Sequence, residues 1–468
     1  MENSQTFDFK KNLPLMIVLL SGAFITILNQ TLLATALPPI MKDLFIGEST
    51  VQWLQSIFML VNGIMIPVTA FLIGKFTTRR LFLTAMSIFA AGTLVAAVSP
   101  NFSMLLAGRV LQGAGAGIMM PLLQTIMFLL FPVEQRGKAM GYYGLVIAFA
   151  PAIGPSLSGY LVDQFPWRSV FYVVLPFTLL NIIAAFFLLK NVTKLTDPKM
   201  DYLSIVLSTF GFGGLLYGFS IAGNTGWLHA NVMISILVGV ISLVWFISRQ
   251  LKLKEPILEF RVFKYRVFTL ATSLGMIVFG SMIATTVILP LFMQTMLGFS
   301  AFHSGLMLLP GAIIMGIMNP VTGTLFDKYG AKYLLLTGFS ILTVTTFMFS
   351  NLTEETSFAY LAVLNAIRMS GIAMVMMPST TLGLNQLPNH LIPHGTAMNN
   401  TFRQISGSVG TAVLVTVMVT AELNNGTVAG QIQGVNTAFL VAGFISIAGL
   451  IVSIVIKDPR RNERKAKA

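Results

Sequence analysis

The stretch LPLMIVLLSGAFITILNQTLLATALP, Leu13 to Pro38, holds no charged residue, and its only amides, Asn29 and Gln30, lie near its middle. A helix crosses the hydrocarbon core of a bilayer with about 20 apolar residues, so this run is long enough to span. Lys10 and Lys11 precede it in the manner of a signal peptide. The run is nevertheless too long for the apolar core of such a peptide, and no small-residue cleavage site with a polar mature start follows. It reads as an uncleaved first span.

Runs of the same kind recur along the chain. With 13–37 as the first, they fall near 52–74, 81–98, 103–130, 139–161, 170–189, 203–222, 231–248, 267–293, 304–325, 333–350, 357–383, 396–421 and 436–456. Composition agrees: charged residues are 10% of the chain, AVILMFWYC residues 55%, and the mean hydropathy is +0.82. Soluble domains carry about 25% charged residues, so a soluble globule of this size is excluded. The expected fold class is an all-α polytopic membrane protein with fourteen spans. Without cysteine there are no disulfides, thiolate metal sites or thiol nucleophiles. The four histidines, His229, His303, His390 and His394, lie in or beside predicted loops and form no HExxH pair. No G-x-x-x-x-G-K-[ST] occurs, so an ATP site is not expected, and nothing suggests an enzyme.

A net charge of +13 raises the question of nucleic acid, and the cation positions answer it. With the N-terminus inside, 24 of the 29 lysines and arginines fall in cytoplasmic segments, Lys42 and Arg168 fall outside, and three arginines lie within spans. The positive-inside rule predicts this asymmetry for an even number of spans. The charge therefore reports topology, with both termini cytoplasmic, and no nucleic-acid partner is expected. The basic tail is placed against the inner face, where anionic lipid headgroups lie.

The chain also repeats itself. Gly323-Thr-Leu-Phe-Asp-Lys328 echoes Ala70-Phe-Leu-Ile-Gly-Lys75 at an offset of 253, Arg368 echoes Arg109 at 259, and Gly395-Thr-Ala-Met398 echoes Gly137-Lys-Ala-Met140 at 258. Near-equal offsets imply two homologous six-helix bundles, 1–190 and 267–456. Two inserted helices (191–250), a basic cytoplasmic linker (251–266) and a basic tail (457–468) complete the division. Parallel repeats of this kind hold their substrate near the bilayer midplane, between the halves.

Several motifs carry a resemblance to a known family. Leu106-Ala-Gly-Arg109-Val-Leu-Gln112-Gly113 has the pattern R-x-x-Q-G in the fourth span, and Ala150-Pro151-Ala-Ile-Gly154-Pro155-Ser-Leu-Ser-Gly159 lies in the fifth. Gly323-x-Leu-x-Asp327-Lys328-x-Gly330-x-Lys332 follows the tenth, and Trp167-Arg168 and Phe402-Arg403-Gln404 add further matches. The chain resembles the fourteen-helix drug:proton antiporters of the major facilitator superfamily from about residue 13 to 456, and is similar to Gram-positive multidrug and lincosamide-resistance exporters. The resemblance implies the major facilitator fold and secondary active export of amphiphilic drugs across a bacterial cytoplasmic membrane. Protons would be the coupling ion, with no other cofactor, and the protein would act as a monomer.

The resemblance also implies roles for particular residues. Arg109 is assigned to proton coupling, with Arg368 as its counterpart. Physically, an arginine in hydrocarbon costs at least ~2.5–3.5 kcal/mol on insertion scales, so it must face a polar cavity or a partner. Its alternative role is structural, bonding backbone carbonyls at a helix break. Gly113, Gly154 and Gly159 allow close helix approach, and Pro151 and Pro155 interrupt helical hydrogen bonding. Asp327, in a short cytoplasmic loop beside Lys328 and Lys332, is expected to latch one facing state through ion pairs and a helix N-terminus.

One departure stands out. The family's first-helix motif usually carries aspartate where this chain has Asn29, which cannot titrate. None of the sixteen acidic residues lies clearly at mid-membrane. Asp163 and Glu422, at outer helix ends, are then the carboxylates left to bind a proton. Asn29, Gln30, Gln55, Asn62, Gln112, Gln124, Gln294, Asn399, Asn400 and Arg403 are polar groups in apolar spans and are candidates for the cavity lining or for interhelical bonding. The 27 methionines and 37 phenylalanines suit a pocket that repacks around varied guests. Rival readings are export of an endogenous lipid, peptide or metabolite, and a non-transporting scaffold or sensor. Arg109 within the membrane and the intact fifth-helix motif favour transport, since a scaffold needs neither.

Overall fold

The computed structural model describes residues 9–193, 195–196, 199–422 and 427–456. Lys194 and the basic tail 457–468 lie outside these residues. Fourteen helices are long and apolar enough to cross a membrane: α1 (Phe9–Leu44), α2 (Trp53–Lys75), α3 (Thr78–Ala97), α4 (Phe102–Leu130), α5 (Arg136–Gln164), α6 (Ser169–Leu188), α7 (Tyr202–Thr225) and α8 (Ala230–Lys252), then α9 (Arg266–Leu291), α10 (Ala301–Tyr329), α11 (Ala331–Met348), α12 (Phe358–Leu384), α13 (Ile392–Thr420) and α14 (Val428–Val455). Each expected span is present, and no strand forms among the described residues.

Capping sets many of the starts, because the first turns of a helix leave N–H groups without partners. Asn101 accepts from the Met104 N–H at 2.9 Å at the head of α4, and Ser357 accepts from Tyr360 at 3.2 Å at the head of its counterpart α12. Thr77, Ser300 and Thr427 cap α3, α10 and α14 in the same way. Several helices outrun their apolar stretches because polar first and last turns continue them. Asp327, expected in a loop, sits in the last turn of α10, and that helix ends only at Gly330, which adopts φ 84°. His394 and His303, also expected near loops, lie in the first turns of α13 and α10.

Helices α1 to α6 form one bundle and α9 to α14 the other, with equivalent pairings in each. The α1–α5 and α3–α4 contacts recur as α9–α13 and α11–α12. Glycines bring the paired helices together in each bundle, at different levels along them. A Cβ on Gly92 would lie 2.7 Å from the Gly108 carbonyl oxygen, and one on Gly338 would lie 2.8 Å from that of Gly371. Small residues let α3 touch α4, and α11 touch α12, along their backbones.

The inserted helices α7 and α8 form an antiparallel pair, and α7 lies against both α2 and α13, one from each bundle. Trp53 stacks on Tyr217 at 5.8 Å between centroids, and the Trp227 indole N–H donates to Thr416 Oγ1 at 2.7 Å. At the foot of the pair, Arg249 grips Asp201 with Nε and Nη2 at 2.7 and 3.1 Å. These bonds, with a further one from Ser204, hold the Asp201 carboxyl below the usual carboxylate range.

Both described ends of the chain lie on one side of the bundle, together with the α2–α3, α4–α5, α6–α7, α8–α9 and α10–α11 connections, and most of the described lysines and arginines fall at these ends and connections. This side is called the basic end. At the opposite end, Asp43 accepts from the Trp167 indole and from Arg168, both at 2.9 Å, and Arg168 also donates to the Ser99 carbonyl at 2.8 Å. The Trp-Arg pair thereby ties the end of α1 and the end of α3 to the α5–α6 connection.

Candidate functional site

Between the bundles lies a cavity of about 190 Å³, bounded by α1, α2, α4 and α5 on one side and α9, α12 and α13 on the other. Its walls are mostly apolar, with Met59, Met120, Met282, Met376 and Phe279 among them. Drug-sized sites begin near ~300 Å³, so a larger guest must displace these side chains, and unbranched methionines yield at little cost.

The polar lining is sparse and specific. Gln30 and Asn62 come from the first bundle, and Asn400, Arg403 and Gln404 from the second. Tyr143 on α5, which sequence reasoning missed, also lines the cavity, fully buried and with its hydroxyl unpartnered. It lies two turns from Pro151, on the helix that carries the fifth-span motif. Pro151 lines the cavity as well, although α5 runs unbroken through both Pro151 and Pro155.

The other expected cavity residues lie elsewhere. Asn29 and Gln112 are inside the first bundle, bonded to Arg109. The Arg109 Nη1 donates to Asn29 Oδ1 at 3.0 Å and to Gln112 Oε1 at 2.7 Å, while Nε donates to the Leu54 carbonyl at 3.0 Å. Gln112 in turn donates to Thr93 Oγ1 at 3.0 Å, and the Phe58 ring lies 4.3 Å below the guanidinium. All the partners of Arg109 are therefore neutral, and it is wholly buried rather than exposed to the cavity. Arg109 thus meets its polar partners inside its own bundle, one of them a backbone carbonyl near the head of α2.

Arg368 occupies the matching place in the second bundle. Its Nη2 donates to Ser281 Oγ at 2.7 Å and to the Ser281 carbonyl at 3.2 Å, and its Nε reaches Thr346 Oγ1 at 3.4 Å. Ser281 and Thr346 stand where Asn29 and Thr93 stand in the first bundle, at offsets of 252 and 253. The two arginine cages are thus copies of one arrangement.

Gln124 is buried and takes a hydrogen bond across the bundles from the Asn400 amide. Asn399 is buried in α13 with its Oδ1 unpartnered. Gln55, half-buried in the first turns of α2, does not reach the cavity. Gln294 is exposed in a π-helical turn, Phe292–Met296, that extends α9, so it neither lines the cavity nor bonds helices together. Asp163 is exposed in the last turn of α5. Glu422 is half-buried just beyond α13, beside the start of α14.

At the basic end the bundles meet tightly. Asp327 accepts from the backbone N–H groups of Gly137 and Lys138, each at 2.8 Å, so a carboxylate from α10 caps the N-terminus of α5. Gly137 and Gly323 bring the two backbones together, and a Cβ on either would strike the carbonyl oxygen of the other. One turn deeper, Asn319 donates to the Gly144 carbonyl at 2.8 Å. Arg136 adds bonds to Asn385 at 3.2 Å and Asn389 at 3.3 Å. Lys328 lies over the Tyr329 ring and Lys332 donates to the Ile454 carbonyl, so these lysines also act within their own bundle.

Toward the opposite end, α5 carries exposed residues where it would have to meet α10. Ile153 and Tyr160 are 42% and 63% exposed, and a Cβ on Gly159 would meet nothing. Gly159 is therefore not a packing glycine in this state. Gly154 is one, closing on Thr31 of α1, and Gly113 another, 2.8 Å from the Phe58 carbonyl oxygen when given a Cβ. The α5–α10 seam is closed at the basic end and parted at the other.

Two six-helix bundles related by a repeat, an added helix pair and a central cavity gated by cross-bundle contacts find their match among known proteins. A model of the Major Facilitator Superfamily matches residues 19–411. The chain belongs to this superfamily. It is 56% identical to the uncharacterized MFS-type transporter YcnB of Bacillus subtilis, with 95% of each chain covered. It is 42% identical to the lincomycin resistance protein LmrB of Listeria monocytogenes, covering 96% of this chain and 97% of that one. The multidrug transporter protein MdtP of Bacillus subtilis is 31% identical over 86% of this chain and 74% of its own. Among solved structures, the human organic anion transporter MFSD10 superposes with a TM-score of 0.69 over 94% of this chain and 99% of its own, at 14% identity, a likeness of fold alone. This major facilitator protein is a multi-pass membrane transporter, and its cavity is the candidate substrate site.

Proposed function

We propose that this transporter exports amphiphilic drugs across the bacterial cytoplasmic membrane by alternating access, in exchange for protons, with the basic end facing the cytoplasm. The observation that carries the reading is the cavity itself: apolar and methionine-rich, sparsely polar, placed between two bundles whose α5–α10 seam is closed at the basic end and open at the other. Similarity to a lincomycin resistance protein and to multidrug transporters supports the drug class, and the cation asymmetry supports the orientation. In this reading the structure is the outward-facing state, ready to release cargo and take up a proton. Asp163 and Glu422 flank the open side, where external protons arrive first. Arg109 and Arg368 anchor the cages that keep each bundle rigid while they rock.

The test is a drug-susceptibility panel in an efflux-deficient bacterium, comparing wild type with Arg109→Ala at matched membrane expression. Wild type should raise resistance to a set of amphiphiles, and Arg109→Ala should remove the increase. Wild-type resistance in the variant would refute the role of Arg109. No resistance conferred by the wild type would refute the drug-export reading.

A further inference from the structure

Two unsatisfied donors face one another across the cavity. Arg403 on α13 is 3% exposed. Its Nη2 donates to the Met376 carbonyl at 3.1 Å and Thr380 Oγ1 at 2.9 Å, but its Nε has no partner. Tyr143 on α5 is fully buried and its hydroxyl has none either. Both line the same cavity from opposite bundles, and no aspartate or glutamate lines it with them. Leaving a buried donor unmade is costly, and more so when it belongs to a charged group. Most of the remaining lining is apolar, with amides at Gln30, Asn62, Asn400 and Gln404.

We propose that this cavity selects amphiphiles bearing a carboxylate, which Arg403 and Tyr143 hold between them while the apolar body packs against the methionines. The inference rests on the reading of the cavity as a drug site and names the class of drug. A carboxylate accepts from guanidinium and phenol together, with charge-assisted bonds that are roughly twice as strong as neutral ones. A quaternary ammonium meets the reverse: no anion to pair with, and a buried cation that repels it. Because the two donors belong to different bundles, the carboxylate also bridges them, so a bound anion favours the arrangement in which α5 and α13 are close.

The experiment uses purified full-length protein in a non-ionic detergent and three probes that share a naphthalene and a short alkyl chain. One ends in a carboxylate, one in its methyl ester and one in trimethylammonium, and binding is measured by calorimetry. The carboxylate should bind about tenfold or more tighter than the ammonium, a difference of about 1.4 kcal/mol or more. Arg403→Gln should bring the two within about threefold, and Tyr143→Phe, which keeps the ring, should weaken the carboxylate alone by a smaller factor. Equal binding of all three probes would leave the cavity a drug site and overturn the carboxylate preference. A preference untouched by either substitution would place the anion elsewhere and overturn the assignment. No binding by any probe would overturn both this inference and the drug-site reading beneath it.

Discussion

Arg109 and Arg368 hold the same place in their bundles but are not equally tied. Arg109 reaches acceptors on three helices, Asn29 of α1, the Leu54 carbonyl of α2 and Gln112 of α4, and rests on Phe58. Among the described residues, Arg368 reaches only Ser281 and, at a longer distance, Thr346. Lysine offers one compact ammonium where arginine offers a planar fork, so Arg109→Lys must abandon at least one acceptor. It is expected to lose about 1–3 kcal/mol, and its thermal midpoint in detergent should fall further than that of Arg368→Lys. A larger fall for Arg368→Lys would contradict the assigned geometry. The arginines were legible in the sequence because a charge within an apolar span has few explanations. Which of the amides would pair with them was not, since Asn29, Gln112 and Asn400 look alike until the helices are rotated into place. Tyr143 went unseen because a tyrosine among apolar residues carries no charge signal.

The α5–α10 contact is the element on which closure at the basic end turns. Gly137 and Gly323 permit backbone contact, and Asp327 caps α5 from the other bundle. Gly323→Ala sets a methyl group against the Gly137 carbonyl and should shift the equilibrium toward a state parted at the basic end. The chain has no cysteine, so a single Gln124→Cys reports this cleanly. Gln124 is fully buried at a cross-bundle bond, and a water-soluble maleimide should modify its replacement several-fold faster in the Gly323→Ala background. An unchanged rate would mean that the glycine contact does not hold the closed end. The glycine-and-aspartate pattern was visible in the sequence, and so was its link to a helix N-terminus. That the aspartate belongs to a helical turn rather than a loop was not, because Tyr329 and Lys328 continue the helix as far as Gly330 allows. Gly159 meets no neighbour for a related reason: its surroundings depend on how far α5 and α10 part at the other end, which local sequence does not encode.

The fourteen spans, their order and the repeat were legible because apolar length, cation placement and internal offsets are properties of the linear chain. The position of the inserted pair was not. Helix α7, backed by α8, lies against α2 and α13 and so covers one of the two seams between the bundles, a consequence of packing around Trp53, Tyr217 and Trp227. With that seam covered, the cavity, the cages and the closure at the basic end compose a machine whose two bundles share one solvent-reachable interior. In the proposed cycle the proton gradient moves drug through that interior. This coupling is tested most directly in proteoliposomes, with protein-free liposomes as control, by following a radiolabelled drug to which the transporter confers resistance. An acid interior should drive its accumulation by molecules whose basic end faces outward, and a proton ionophore should abolish that accumulation. Protein-dependent flux that continues unchanged after the gradient is collapsed would contradict the account.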